Sequence, residues 1–338
     1  TPLTMDATAD GCSYPAAQRA ERLITAHAVV AVVGSLACLV TIVLIAVTRT
    51  YRTQIHRLRL YLAVACLLFA VTLGFETLPV DFNKSNGAVS VTVRQGWNGA
   101  CTAVGFFAQY FAYSKTLAIV WVSFYIFAVA ILKKELHKPS REIAGVLTVF
   151  LLPALITWVP LVGNTYGLTG TWCWIRSTCN ASYPLGTPFQ LGLSLVPAAL
   201  LHMVSLTFIV PVILLFCKRA VTTANGRHKR QQNFEALKET APLLVYPTLY
   251  SLLVMADTLY TICLEAGLPS SQFDVAEMTI ISLYQLFALA LPASFLLHPS
   301  VQRILASRCG KSLDESIALH YGTGTSYTPL VSKETSSS

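Results

Sequence analysis

Glu76, Lys115, Asp257 and Gln285 are polar side chains set in otherwise apolar stretches of this sequence. Such groups are costly in hydrocarbon, so each is a candidate for function rather than for bulk packing. Lys115 follows Cys101 by 14 positions, a depth of roughly 21 Å at about 1.5 Å per helical residue. A direct Lys115 to Asp257 bridge would have to close a vertical gap of about 15 Å, which leaves Gln285 as the better-placed polar neighbour. Two readings of Lys115 stay open. It either holds an interhelical polar network with Gln285 or runs its ammonium out to water.

Glu76 and Asp257 fall near the same end of their apolar stretches as Tyr110, Tyr113, Trp158, Trp174, Tyr260 and Tyr284. Aromatic walls with a few polar groups describe a small-molecule site, and two carboxylates favour a cationic ligand. Each aromatic taken alone serves equally as a packing or interfacial residue. Arg94 and Arg176 would suit an anion instead. No Ser-His-Asp set, His-Glu-x-x-His run or phosphate-cradling glycine loop occurs, and His27 and His202 lie in separate stretches as packing residues. No catalytic residue, no metal site and no cofactor is expected, and the chain is not expected to be an enzyme.

What must position these groups follows from composition. The chain is 54% hydrophobic and 12% charged, against about 25% charged in soluble domains, so lipid must solvate much of it. The mean hydropathy of +0.59 agrees. A net charge of +8 is not a nucleic-acid signature here, because the basic residues cluster beside apolar runs where they face lipid headgroups. Seven stretches reach the roughly 20 residues that a bilayer requires: Ile24 to Val47, Leu58 to Val80, Asn98 to Leu132, Ile143 to Val162, Leu191 to Cys217, Ala241 to Leu264 and Val275 to Leu297. The expected fold is therefore an all-α membrane protein, a seven-transmembrane helix bundle over 23–298 after a short extracellular segment, 1–22. Pro153, Pro197, Pro211, Pro247 and Pro292 fall inside spans, which neighbouring membrane helices tolerate. The first span is expected to act as an uncleaved targeting segment, with Met5 a candidate natural start.

Lys and Arg placement sets the orientation. Arg49, Arg52, Arg57 and Arg59 occupy one loop; Lys133, Lys134, Lys138 and Arg141 the next; Lys218, Arg219, Arg227, Lys229, Arg230 and Lys238 a third. These loops are assigned to the cytoplasm, which places the amino terminus outside and the chain in the plasma membrane. Lys218, Arg219, Arg227 and Arg230 are candidate contacts for a cytoplasmic partner, although the positive-inside rule alone accounts for them. The Asn-x-Ser acceptor sites at Asn83 and Asn180 both fall outside. Cys101 at the outer end of the third span and Cys173 in the long outer loop are expected to form a disulfide that pins this loop over the bundle. Cys12 and Cys179, also outside, are candidates for a second bridge. After His298-Pro299, residues 299–310 carry Val301, Ile304 and Leu305 on one side, suited to an amphipathic helix on the membrane surface. Cys309 at its end is either a palmitoyl acceptor or a free thiol. The tail, 311–338, is rich in Ser, Thr and Gly and is expected to be disordered and open to phosphorylation.

Seven spans, an outside amino terminus, a third-span cysteine matched to an outer-loop cysteine and an amphipathic eighth helix together resemble the G-protein-coupled receptors, over roughly residues 20 to 310. Within the outer loop, Thr171-Trp172-Cys173-Trp174-Ile175 is similar to the Trp-Cys-Trp-Ile segment of the cyclic-AMP-receptor-like group, related to the secretin and adhesion receptors. The rhodopsin-like signatures are absent: no Asp-Arg-Tyr follows the third span, and Leu291-Pro292-Ala293-Ser294-Phe295 stands where Asn-Pro-x-x-Tyr is usual. The seventh span has no lysine to hold retinal as a Schiff base. The resemblance implies a receptor that passes an extracellular ligand's signal to a heterotrimeric G protein, with arrestin as a partner of the phosphorylated tail, membrane lipid as solvent and no nucleic acid. The alternative is a helical transporter or channel, whose expected polar pathway and repeated halves are not evident.

Overall fold

The computed structural model describes residues 17–52, 54–76, 78–85, 88–133, 139–169, 172–176, 186–222, 244–255, 290–298, 301, 302 and 304. Helix α1 is Ala17–Thr48, followed by a 3-10 turn at Thr50–Arg52, and α2 is Gln54–Phe75. Strands β1 (Val80–Ser85) and β2 (Ala88–Val93) precede α3 (Asn98–Ala130) and α4 (Pro139–Val162). Strands β3 (Tyr166–Thr169) and β4 (Trp172–Ile175) lead to α5 (Gly186–Gln190), a π-helical stretch at Leu191–Leu195 and α6 (Val196–Thr222). The remaining described helices are α7 (Leu244–Met255) and α8 at residues 290–296.

Among the described residues, 5 helical segments are long and apolar enough to cross a membrane: Ile24–Thr48, His56–Phe75, Asn98–Ala130, Pro139–Val162 and Pro188–Lys218. The expected sixth and seventh spans are described only in part, as α7 and α8. The helices leave large apolar side chains uncovered, as lipid-solvated helices do. On α4, Leu155 is 67% and Val162 72% exposed, whereas Thr157 on the packed side is fully buried. The molecule is thus a multi-pass helical membrane protein.

Helix α3 is the hub, packed against α2, α4, α6 and the β3–β4 hairpin. Its contact with α4 is close because Gly145 has no side chain; a Cβ there would sit 2.4 Å from the Trp121 indole. Hairpin β1–β2 is antiparallel with Val80 opposite Val93, and β3–β4 is antiparallel with Tyr166 opposite Ile175. Both hairpins lie at one end of the bundle, where Val80, Cys101 and Cys173 share a small apolar cluster.

Several boundaries differ from the sequence reading. Helix α2 stops at Phe75 and Val80 begins a strand, because Leu78 precedes Pro79 and is steered away from helical geometry. Helix α1 already begins at Ala17, before residue 23, in a run of good helix formers. Arg57 and Arg59 belong to α2 rather than to a loop.

At the end opposite the hairpins, Arg57 Nε donates to Glu142 Oε1 at 2.6 Å and Nη2 to Oε2 at 2.7 Å. The Tyr61 hydroxyl donates to the same carboxylate at 2.8 Å. Glu142 sits in the first turn of α4, where a negative charge complements the helix dipole. This bidentate pair ties α2 to α4. Removing the carboxylate charge with Glu142→Gln is expected to lower stability by about 1–2 kcal/mol, read as a lower unfolding temperature of the purified protein; an unchanged temperature would show the pair to be merely decorative.

Candidate functional site

Pro197, the second residue of α6, has no N–H to give the carbonyl four residues back, that of Leu193. Inside a membrane such a carbonyl needs another donor. Helix α3 supplies two, the Tyr113 hydroxyl and, at 3.3 Å, Gln109 Nε2. The backbone between α5 and α6 accommodates this as a π-helical stretch, with the Val196 N–H bonded to the Leu191 carbonyl. Ser194 then donates its hydroxyl to Gln109 Oε1 at 3.2 Å. One proline thereby connects α3 to the π-stretch through a buried amide.

The same Gln109 oxygen accepts the Trp174 indole N–H at 2.6 Å. Strand β4 is anchored at every residue. The Trp172 ring meets His27 of α1 edge-on at 5.1 Å. Cys173 is disulfide-bonded to Cys101, with Cα atoms 5.2 Å apart, and its N–H donates to the Glu76 carbonyl at 3.4 Å. The Ile175 carbonyl accepts from the Gln190 amide at 3.2 Å and from the Thr169 hydroxyl at 2.7 Å. Gly105 lets β4 come so close, since a Cβ would lie 3.2 Å from the Trp174 Cα. Cys101, Gly105, Gln109 and Tyr113, four residues apart, form one stripe of α3 beneath the hairpin.

Glu76 lies one residue past the second apolar span and is 5% exposed. Among the described residues no side chain bonds or pairs with its carboxyl, and burial pushes its pKa up to about 8. The site is therefore a hairpin roof with a buried carboxyl of raised pKa and a Gln-Trp-Tyr cluster beneath. A cation placed there would ionise Glu76 and pair with it.

Of the sequence-derived ligand set, Glu76 and Trp174 adjoin Cys173, and Tyr113 joins them through Gln109. Tyr110 instead donates to the Phe150 carbonyl at 2.7 Å, bracing α3 against α4. Trp158 is 58% exposed, on the side of α4 opposite its buried stripe of Gly145, Val149, Pro153, Thr157 and Pro160; it does not join the others, because a helix turns each residue by about 100° and that stripe claims the inward face. Asp257, Tyr260, Tyr284 and Gln285 lie outside the described residues, as do Cys12, Cys179, Asn180, Arg227, Arg230 and Cys309. Asn83 is on β1 opposite Ser90. Lys218 is exposed near the end of α6, and Arg219 follows it in that helix.

Lys115 is 6% exposed. Its Nζ sits 3.6 Å from the centroid of the Phe69 ring and 4.9 Å from that of Tyr250, a cation held on aromatic faces rather than extended to water. The His202 ring lies 5.2 Å from that of Tyr250, tilted by 58°, with neither nitrogen hydrogen-bonded, and Tyr246 bonds Cys66 at 3.1 Å. These groups make a second polar island in mid-bundle. Gln109 and Gln190, which organise the roof, escaped the sequence reading because it weighed charges and aromatics; the four-residue stripe running from Cys101 was the available signal.

No protein family and no curated protein matches this chain. Among solved structures, squid rhodopsin is similar, with a TM-score of 0.62 over 97% of this chain and 92% of that one, at 15% identity. The fold is rhodopsin-like. At that identity the likeness concerns architecture alone, and the site must be read from its own residues.

Folded protein binds more protons at Glu76 than unfolded protein between pH 4.5 and about 8. Stability is thus expected to fall as pH rises through that window. Glu76→Gln, which cannot ionise, should lose this component in thermal unfolding measured across pH; parallel curves for the two proteins would refute it.

Proposed function

We propose that this chain is a G-protein-coupled receptor that takes a small cationic ligand beneath the β3–β4 roof and signals to a heterotrimeric G protein at the opposite end. One observation carries the reading: a buried carboxyl, Glu76, with no side-chain partner among the described residues, under a hairpin clamped by Cys101–Cys173 in a rhodopsin-like fold. Asp257, Tyr260 and Tyr284 complete the pocket with Trp174 and Tyr113, and Lys115 with Gln285 forms the network that rearranges between states. The Trp172–Ile175 run supports placement beside the cyclic-AMP-receptor-like group. The hairpin end faces outside at the plasma membrane, with glycans on Asn83 and Asn180 and a second bridge between Cys12 and Cys179. Lys218, Arg219, Arg227 and Arg230 meet the G protein, Cys309 carries a palmitoyl group, and the phosphorylated tail receives arrestin.

The test is guanine-nucleotide exchange by a panel of G proteins on reconstituted receptor, screened with a library of amines. A responding amine should lose potency about tenfold or more in Glu76→Gln, the loss of one buried ion pair, and should bind more tightly as pH rises toward 8. Absence of exchange in every member, with any activator, would sink the coupling; full potency in Glu76→Gln would sink the ligand assignment.

A further inference from the structure

Arg59 is an unusual residue at the end opposite the roof. It is 4% exposed, and neither Nη1 nor Nη2 has a hydrogen-bond partner. Its guanidinium carbon lies 5.9 Å from the centroid of the Phe295 ring in α8. His56, one turn earlier on α2, contacts that ring edge-on at 5.5 Å and the His298 ring at 5.1 Å. The His56 Nδ1 is also buried without a partner. Among the described residues the carboxylate at this end is Glu142, and Arg57 already engages it. Two basic side chains, Arg59 and His56, therefore converge on Phe295 with buried nitrogens that have no hydrogen-bond partner.

A buried cation in this condition calls for an anion in the protein's working surroundings. The planar fork of arginine suits a phosphate oxygen pair. Depth identifies the source. The span starts at His56, so Arg59 lies about 4.5 Å inside it, at the boundary between headgroups and acyl chains. Next to Phe295 the surface is apolar: Leu296 is 39% and Leu297 63% exposed, while Ile45 of α1 packs with Phe295 and Val301 on the inner side. Acyl chains can lie along this strip while a headgroup reaches the cation.

We infer that Arg59, with His56 beside it, forms a binding site for the phosphate of an anionic phospholipid headgroup. The guanidinium swings from Phe295 to chelate the phosphate, and His56 adds a donor to one of its remaining oxygens. The inference is independent of what the roof binds or which protein the molecule signals to.

Thermal unfolding of the full chain in nanodiscs tests this with four settings: phosphatidylcholine alone, phosphatidylcholine with a phosphatidylinositol phosphate, phosphatidylcholine with soluble inositol phosphate, and phosphatidylcholine with an acidic peptide. The phosphoinositide should raise the wild-type unfolding temperature by a few degrees, as ligands of the folded state do. Arg59→Gln should lose that rise yet unfold at a higher temperature than wild type in phosphatidylcholine alone, because an uncompensated buried charge is gone. Arg59→Lys, charged but without the fork, should keep only part of the rise, and Arg141→Gln, an exposed basic residue of the same end, should keep all of it. The proposal is overturned if Arg59→Gln and Arg59→Lys both retain the full rise, if Arg141→Gln loses it, if soluble inositol phosphate reproduces it, or if an acidic peptide does so in plain phosphatidylcholine. Should Arg59→Gln not fold, native mass spectrometry of wild type decides: retained phosphoinositide supports the site, and equal retention by Arg59→Lys overturns it.

Discussion

No water reaches the middle of a bilayer, so every backbone carbonyl and every polar side chain there must find its partner within the protein. The helices meet this largely by folding hydroxyls onto their own backbone. Thr41 donates to Ala37, Thr72 to Leu68, Ser114 to Tyr110, Thr116 to Ala112 and Thr157 to Pro153, each four residues back. Where a proline removes a backbone donor, the constraint acts between helices instead, and the Leu193 carbonyl recruits Gln109 and Tyr113. Ser123 shows both modes, donating to Ile119 while bonded to Ser205 of α6 at 2.8 Å. Polarity in this bundle thus joins helices at few places, and those places are where function is sought.

The two ends resolve the same constraint differently. Under the hairpin roof the polar groups are amides, aromatics and a carboxyl whose pKa is raised by burial. At the opposite end the charges are overt: one arginine is matched within the chain and another, two residues on, is not. Between them Lys115 rests on two aromatic faces.

How much of this was legible beforehand depended on whether the signal was local. Apolar run length located the spans, and the position of Cys101 and Cys173 at one expected face foretold their bond. The stop of α2 was written in Pro79 but was overrun by counting hydropathy alone. Trp158 was assigned to a pocket from its depth, which fixes height and says nothing of the direction a side chain faces; that depends on which side of α4 packs against α3. Gln109 stands on the four-residue stripe that runs from Cys101, but its role derives from Pro197, 88 residues later, and from a strand between them. Arg59 looked like one more basic loop residue. Its burial follows from the helix starting at Gln54, a boundary that composition blurs.

Gly145 and Trp121 show what close packing implies over evolutionary time. The indole occupies the volume in which any other residue at 145 would place its first side-chain carbon. Neither position can drift alone: a lineage that gains a side chain at 145 must first or simultaneously give up the large ring at 121, and one that loses the ring opens a void that favours growth at 145. The α3–α4 seam should therefore be inherited as a matched pair, with its spacing conserved even where both residue types have changed.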